Sequence, residues 1–143
     1  MRRGRRLTLG RVLPILHVAA AAVVDEGRLL LVSKRTAPDV FYLPGGKPDR
    51  GETASDCVRR ELREELGTGP ASLTYLETVH AVAALEHMPM AMDVFLVTLD
   101  GTPEPAAEIA FLTWYSDDAP FTGELAPAIV GGVVPALRRR GLL

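Results

Sequence analysis

Three glutamates are spaced so that one face of a helix would present all of them. Glu61, Glu64 and Glu65 are separated by three and four residues, which brings side chains to the same side of a helix. Carboxylates at these intervals repel one another, and the C-terminal half of a helix disfavours anions further. A divalent cation would turn this repulsion into coordination, because hard oxygen ligands suit Mg²⁺ or Mn²⁺. An ordinary solvated surface, with Arg60 pairing with Glu64, is the alternative that these residues leave open.

A glycine pair just upstream favours ligand binding at the same place. Gly45 and Gly46 follow Pro44, and backbone without Cβ atoms can approach a ligand closely. A glycine carbonyl here is a candidate ligand to the same cation. The side chain of Lys47 is a candidate contact for a phosphate group.

The helix that would carry the glutamates is the clearest element of the sequence. Its apolar residues recur every four positions without an intervening proline or glycine, namely at Ala54, Val58, Leu62 and Leu66. Thr53 with Asp56 three residues later is similar to a capping box, and Gly67 is a natural terminator. The pattern therefore predicts a helix over residues 53–66.

The rest of the chain predicts short strands and a broken C-terminal helix. Strands are predicted at 16–24, 28–35, 73–85, 91–99 and 109–115, and the first two would form a hairpin through the turn at 25–27. A helical segment at 124–140 contains Gly131, Gly132 and Pro135, which indicate a kink or two pieces. Strands that outnumber helices in this order predict an α+β or mixed-sheet α/β fold rather than a doubly wound one.

Residues 46–68 form a single motif that begins with Gly46. Five residues separate Gly46 from Glu52, and seven more separate Glu52 from the run Arg-Glu-Leu-Arg-Glu-Glu-Leu-Gly-Thr. This resembles the Nudix box, G-x5-E-x7-R-E-U-x-E-E-x-G-U, in which U is a bulky aliphatic residue. Every fixed residue matches over the 23 positions, and the one departure is Thr68 at the last aliphatic place. Residues 41–45 and the later pair Glu108 and Trp114 are also similar to the family pattern.

The resemblance implies a Nudix fold, a mixed-sheet α/β/α sandwich, and hydrolysis of a diphosphate linkage in a nucleoside diphosphate joined to another group. It implies that Mg²⁺ or Mn²⁺ is held by Glu61, Glu64, Glu65 and the Gly45 carbonyl. It also implies that Glu52 bonds to the catalytic-motif residue Arg60, in support of the ligands. A general base must reach the attacking water, and Glu61 is the first candidate and Glu108 the second.

Four residues near the box are candidate substrate contacts: Arg35, Phe41, Tyr42 and Lys47. The two aromatic side chains, like that of Trp114, either stack on a nucleobase or pack in the core. Glu108 is either catalytic or an exposed loop carboxylate.

The sequence elements that accompany several Nudix substrate classes are absent. The proline of many ADP-ribose enzymes would fall near Ala84, and the tyrosine of many dinucleoside polyphosphate enzymes near Glu86. A nucleoside triphosphate pyrophosphohydrolase or a broad-range enzyme is therefore favoured. The alternatives are a non-catalytic nucleotide-sensing module, an ADP-ribose pyrophosphatase and an isopentenyl diphosphate isomerase. The isomerase would require a catalytic cysteine before the box, whereas Cys57 lies within it.

Composition limits the partners and the organisation of the chain. Its 143 residues are 48% hydrophobic and 24% charged, which is typical of one globular domain. The clustered arginines predict a basic arm at 1–14, and the resemblance implies that residues 15–143 form a single Nudix domain. The whole chain has a net charge of −2, and the five arginines of the arm leave an acidic domain. Neither nucleic acid nor a membrane surface is favoured as a partner.

The single cysteine and the apolar C-terminal segment suggest where the protein works and how it assembles. One cysteine allows no intrachain disulfide, so a reducing compartment and a cytoplasmic location are expected. The segment 129–134 would serve either as core or as the interface of a homodimer.

Overall fold

A mixed sheet of eight strands forms the centre of the fold, and helical segments pack on both of its faces. The structure is a computed structural model and describes residues 14–143. The arginines of the predicted basic arm lie outside the described residues. The strands, in chain order β1 to β8, are Leu16–Asp25, Arg28–Lys34, Ala37–Tyr42, Gly45–Gly46, Pro70–Val82, Pro89–Leu99, Ile109–Tyr115 and Glu124–Leu125. The helices are α1 at Ala54–Leu66 and α2 at Val134–Arg139, the latter preceded by a π-helical turn at Ile129–Val133.

The strand β1 organises the sheet. It pairs in parallel with β6 from Leu16 to Val23 and antiparallel with β4 at its middle. The predicted hairpin with β2 is present only beside its turn, at the pairs Val24 with Leu29 and Asp25 with Arg28. Beyond the turn the two strands separate because β6 and β4 occupy the edges of β1, and β2 pairs instead with β3 and β7.

Alternate residues of β1 face two different helical layers. Ala19 and Ala21 pack with buried residues of α1, whereas Ala20 and Ala22 pack with the C-terminal helical segment. This follows from the two-residue period of a strand, which sends successive side chains to opposite faces. The α/β/α sandwich and the α+β class expected from the sequence are therefore confirmed.

The helix α1 begins and ends where the sequence predicts. The Asp56 N–H donates to Oγ1 of the N-cap residue Thr53 at 3.1 Å, and Gly67 terminates the helix with a φ of 70°. The apolar face is fully buried, with Leu62 1% and Leu66 0% exposed. Packing of this stripe on β1 presents the adjoining edge of α1, with Glu61 and Glu65, to the short strand β4.

The C-terminal region is broken, as Gly131, Gly132 and Pro135 predict. A Cβ atom on Gly132 would overlap the Val79 side chain, so the glycine allows the π-helical turn to lie directly on β5. Ile129 and Val133 of this turn are fully buried, and the segment supplies core on this face of the sheet. A homodimer through this segment stays a prediction.

The helices of the described residues are short. With 13 and 6 residues, neither α1 nor α2 has the length and apolar character that crossing a bilayer requires.

The long strands β5 and β6 are joined by a tight connection in which the Ala83 N–H donates to the Met88 carbonyl at 2.9 Å. The first of these strands therefore ends three residues before the predicted boundary at 85.

We expect replacement of Gly45 by alanine to destabilise the fold. Gly45 has a φ of 155°, and its Cβ would meet the Ala19 carbonyl and lie 2.7 Å from the Cα of Ala20. Because backbone cannot yield as a side-chain end can, Gly45→Ala should lower the free energy of unfolding by about 1–3 kcal/mol in urea titrations. The matched control is Gly131→Ala, where an added Cβ meets no atom within 4 Å. Equal stability of the two variants would contradict the close approach of β4 to β1.

Candidate active site

The two glycines of β4 hold two carboxylates of α1. The Glu61 carboxylate fills the space beside Gly46 where a Cβ would otherwise stand. The Gly45 N–H donates to Oε1 of Glu65 at 3.1 Å. The helix α1 and the strand β4 therefore approach each other so closely that carboxylates of α1 occupy the space that side chains of β4 would need.

A bidentate ion pair fixes the loop between β4 and α1. The Nε and Nη2 atoms of Arg60 each donate to a different oxygen of Glu52 at 2.9 Å. The Asp49 N–H also donates to Glu52, and Arg60 donates to the Lys47 carbonyl. These contacts lower the pKa of Glu52 to about 2, chiefly through the Arg60 hydrogen bond. The bond between Glu52 and Arg60 that the family resemblance implies is therefore present.

The same arginine also contacts two of the candidate metal ligands. Its Nη1 donates to Glu61 at 3.2 Å and to both oxygens of Glu64 at 3.4 Å. As they stand, no three His, Cys, Asp or Glu side chains within residues 14–143 converge in a way that could hold a metal ion. Glu64 is 53% exposed at its side chain, so its rotation toward Glu61 meets little steric resistance.

The buried carboxylates lack enough positive charge around them. Burial and the neighbouring Glu61 raise the pKa of Glu65 to about 8, and burial together with Glu64 raises the pKa of Glu61. Glu65 is only 2% exposed. A hard divalent cation would relieve this shortage of charge, and carboxylate and carbonyl oxygens are the ligands it prefers. The chemistry of the oxygen donors around β4 therefore fits Mg²⁺ or Mn²⁺, and rotation of Glu64 from Arg60 toward Glu61 would bring a third carboxylate to them.

A cleft of about 310 Å³ opens beside this cluster. Six of the residues that the sequence singles out near and after the glycine pair line it: Tyr42, Gly45, Gly46, Lys47, Glu61 and Glu108. Glu108 is an exposed residue just before β7, and its carbonyl accepts a hydrogen bond from the Arg35 N–H at 2.9 Å. Its charge contributes to the raised pKa values of Glu61 and Glu65, so the late glutamate faces the acidic cluster.

The structure does not bring the other candidates to the cleft lining. Phe41 is 8% exposed and packs edge-to-face on Phe121 with ring centroids 5.4 Å apart. Trp114 lies under the Arg28 guanidinium beside a separate depression. The side chain of Arg35 is exposed and does not line the cleft.

Several lining residues were missed by sequence reasoning. Lys34 and Glu86 supply charge, and an apolar wall comes from Leu16, Val18, Met90 and Met92. The wall exists because β1 pairs in parallel with β6, which sets Leu16 beside Met90 and Val18 beside Met92. The strand β2 is buried continuously from Leu29 to Ser33, so no alternation along it gave a signal for Lys34. The apolar wall depends on pairing between strands distant in sequence.

The environment of Cys57 does not suit a nucleophile. Its buried Sγ donates to the Gly46 carbonyl at 3.5 Å. Burial and the charge of Glu52 raise the thiol pKa to about 11, whereas the reactive form of cysteine is the thiolate. Cysteine-dependent isomerase chemistry at this position is therefore disfavoured.

Comparison with known proteins agrees with this geometry. A family model described as the NUDIX domain matches residues 15–129. A Mycobacterium tuberculosis protein with the provisional name 8-oxo-dGTP diphosphatase 2 is 31% identical over 137 residues, covering 86% of this chain and 97% of that protein. The 8-oxo-dGTP diphosphatase of Proteus vulgaris is 31% identical over 87 residues, covering 58% of this chain and 76% of that protein.

The fold comparison points the same way. The crystal structure of a MutT NUDIX hydrolase from Burkholderia pseudomallei superposes with a TM-score of 0.70 at 27% identity, covering 88% of this chain and 98% of that one. The box residues, the sheet between two helical layers and the match over most of the described residues lead to one assignment. The chain belongs to the Nudix hydrolase family.

Proposed function

We propose that this Nudix hydrolase is a pyrophosphohydrolase of nucleoside triphosphates, which it converts to a nucleoside monophosphate and pyrophosphate. One observation carries the proposal: a single cleft combines Glu61 and Glu108 with two lysines and an apolar wall. The acidic groups suit divalent cations, the lysines suit phosphates, and an apolar wall suits a nucleobase. The names of the Mycobacterium tuberculosis and Proteus vulgaris relatives make 8-oxo-dGTP the first substrate to test.

Glu61, Glu64, Glu65 and the Gly45 carbonyl are the proposed ligands of Mg²⁺ or Mn²⁺. The ion, when bound, polarises phosphoryl oxygens and lowers the pKa of a coordinated water. Arg60 and Glu52 hold the loop and helix in register through their paired hydrogen bonds. Without this ion, the negative charge of the domain would repel the substrate phosphates.

The chain's own side chains provide the proton transfer and the anion contacts. We assign Glu61 as the first choice of general base and Glu108 as the second, because both line the cleft. The base accepts a proton from water as the water oxygen bonds to phosphorus and the bridging P–O bond breaks. The nucleoside monophosphate or the pyrophosphate, depending on which phosphorus is attacked, then leaves with the electron pair of that bond, and Lys47, which lines the cleft, contacts the phosphate chain. The single buried thiol of Cys57 suits a reducing compartment such as the cytoplasm.

A nucleotide panel tests the reaction. The panel contains dGTP, 8-oxo-dGTP, the other nucleoside triphosphates, ADP-ribose and isopentenyl diphosphate, each with Mg²⁺ and with excess chelator. We expect metal-dependent release of pyrophosphate from triphosphates, and mass spectra after reaction in ¹⁸O water identify the phosphorus attacked. Tight nucleotide binding without turnover would instead identify a sensing module, and preferred cleavage of ADP-ribose would replace the triphosphate assignment.

Replacement of Glu61 by glutamine should lower kcat by at least about 100-fold, because the amide neither accepts the proton nor ligates a cation as a carboxylate does. The side chain keeps its shape beside Gly46, so the thermal midpoint should change little. The matched control is Glu104→Gln, an exposed acid outside the cleft lining, for which wild-type kcat is expected. Turnover near the wild-type rate in Glu61→Gln would remove Glu61 from the mechanism.

Replacement of Glu65 by glutamine separates the metal role from the structural one. The glutamine oxygen can still accept the Gly45 N–H, and a buried amide costs less than a buried carboxylate. The metal-free variant should therefore be at least as stable as wild type. Mg²⁺ at 100 times its Kd would stabilise the wild type by about 2.7 kcal/mol, and the variant should lose most of this gain in thermal unfolding. An unchanged Mg²⁺ response would exclude Glu65 as a ligand.

A further inference from the structure

The hydroxyl of Tyr42 lacks a hydrogen-bond partner. Tyr42 ends β3 and lines the cleft, and its hydroxyl oxygen is buried with no partner among the described residues. A buried donor left without an acceptor costs about 1–3 kcal/mol, so an unpartnered donor in a cleft indicates that a ligand or a water supplies the acceptor. The Tyr42 hydroxyl is therefore available to donate a hydrogen bond to a ligand atom inside the cleft.

The surroundings of this hydroxyl keep it protonated. Burial is the main cause of a raised pKa of Tyr42, and the charges of Glu65, Glu86 and Glu108 add to it. These carboxylates also place the hydroxyl at the acidic end of the cleft.

A second donor lies beside the first. Lys34 Nζ is 5.9 Å from the centroid of the Tyr42 ring, and it lines the same cleft. The two are diagonal neighbours across the pairing of β2 with β3, since Tyr42 pairs with Val32, two residues before Lys34. None of the ion pairs within residues 14–143 includes Lys34. An ammonium and a phenol thus stand together without an anionic partner bonded to them.

The positions of the positive charges indicate which chemical group accepts the hydrogen bond of Tyr42. Lys34 and Lys47 are the only lysines of the chain, and both line the cleft, whereas none of the described arginines does. The charge of Lys34 also reaches Glu65, because it opposes the rise in the pKa of that carboxyl. Two cations and a neutral donor at the acidic end suit a phosphate oxygen better than an uncharged base edge.

We propose that Lys34 and Tyr42 act together as a binding pair for a phosphate oxygen of the substrate, which deepens the proposed function and rests on it. Lys34 supplies the charge and Tyr42 the directed hydrogen bond. The pair lies on β2 and β3 and not on the Nudix box, so it contacts the phosphate chain from strands outside that motif.

Calorimetric titration with inorganic pyrophosphate in the presence of Mg²⁺ tests the pair. Tyr42→Phe and Lys34→Met should each weaken pyrophosphate binding by about 10- to 100-fold, the range for a hydrogen bond to a charged group. Guanosine, which has no phosphate, should bind all variants equally. In steady-state kinetics with the best triphosphate, KM should rise more than kcat falls.

Two control variants match these changes elsewhere in the fold. Arg28→Met removes the cation at the other end of β2, which stacks on the Trp114 ring at 4.9 Å. Tyr75→Phe removes an exposed hydroxyl on β5 that bonds to Thr78. Both controls should bind pyrophosphate as the wild type does.

The possible results separate this inference from the function on which it rests. Wild-type pyrophosphate affinity in Tyr42→Phe and Lys34→Met would overturn the pair, as would equal losses in the two control variants. Weaker guanosine binding in Tyr42→Phe would assign the hydroxyl to the base and also overturn it. If no nucleotide is turned over but pyrophosphate binding still falls in the two variants, the pair stands and the hydrolase proposal fails.

Discussion

The close packing of a side-chain-free strand against an acidic helix is the constraint on which the site depends. Gly45 lies against the backbone of β1, where a Cβ would meet Ala19 and Ala20. Gly46 leaves the space that the Glu61 carboxylate occupies. Any larger residue at either position would separate β4 from its neighbours. The helix could then no longer present its carboxylates at the cleft, whatever their spacing along the chain.

This packing creates an electrostatic imbalance, and the loop corrects only part of it. Arg60 forms its best hydrogen bonds with Glu52, and it reaches Glu61 and Glu64 at longer distances. Glu65 stays buried with one N–H donor from backbone and a raised pKa. Buried carboxylates are expensive unless they are protonated or paired with a cation, and the proposed divalent ion would relieve this imbalance.

The cleft joins two faces of the sandwich that have different chemistry. Glu61 belongs to the helix on one face of β1, whereas Ala20 and Met92 belong to the apolar cluster on the other face. The strand β4 has only two residues, and groups from both layers line the opening beside it. A substrate with an anionic part and an apolar part matches such an opening.

The sequence by itself determined the features that depend on local interactions. The helix at 53–66 and the strand at 109–115 were predicted within a residue of their observed ends, because caps and side-chain periodicity act over a few residues. The tertiary structure decided which further side chains share the cleft with the candidates that the sequence singled out. The separation of β1 from β2, the apolar wall beside Met90 and the unpartnered Tyr42 hydroxyl all follow from pairing between strands distant in sequence. Such pairing depends on register across the sheet, which no short stretch of sequence encodes.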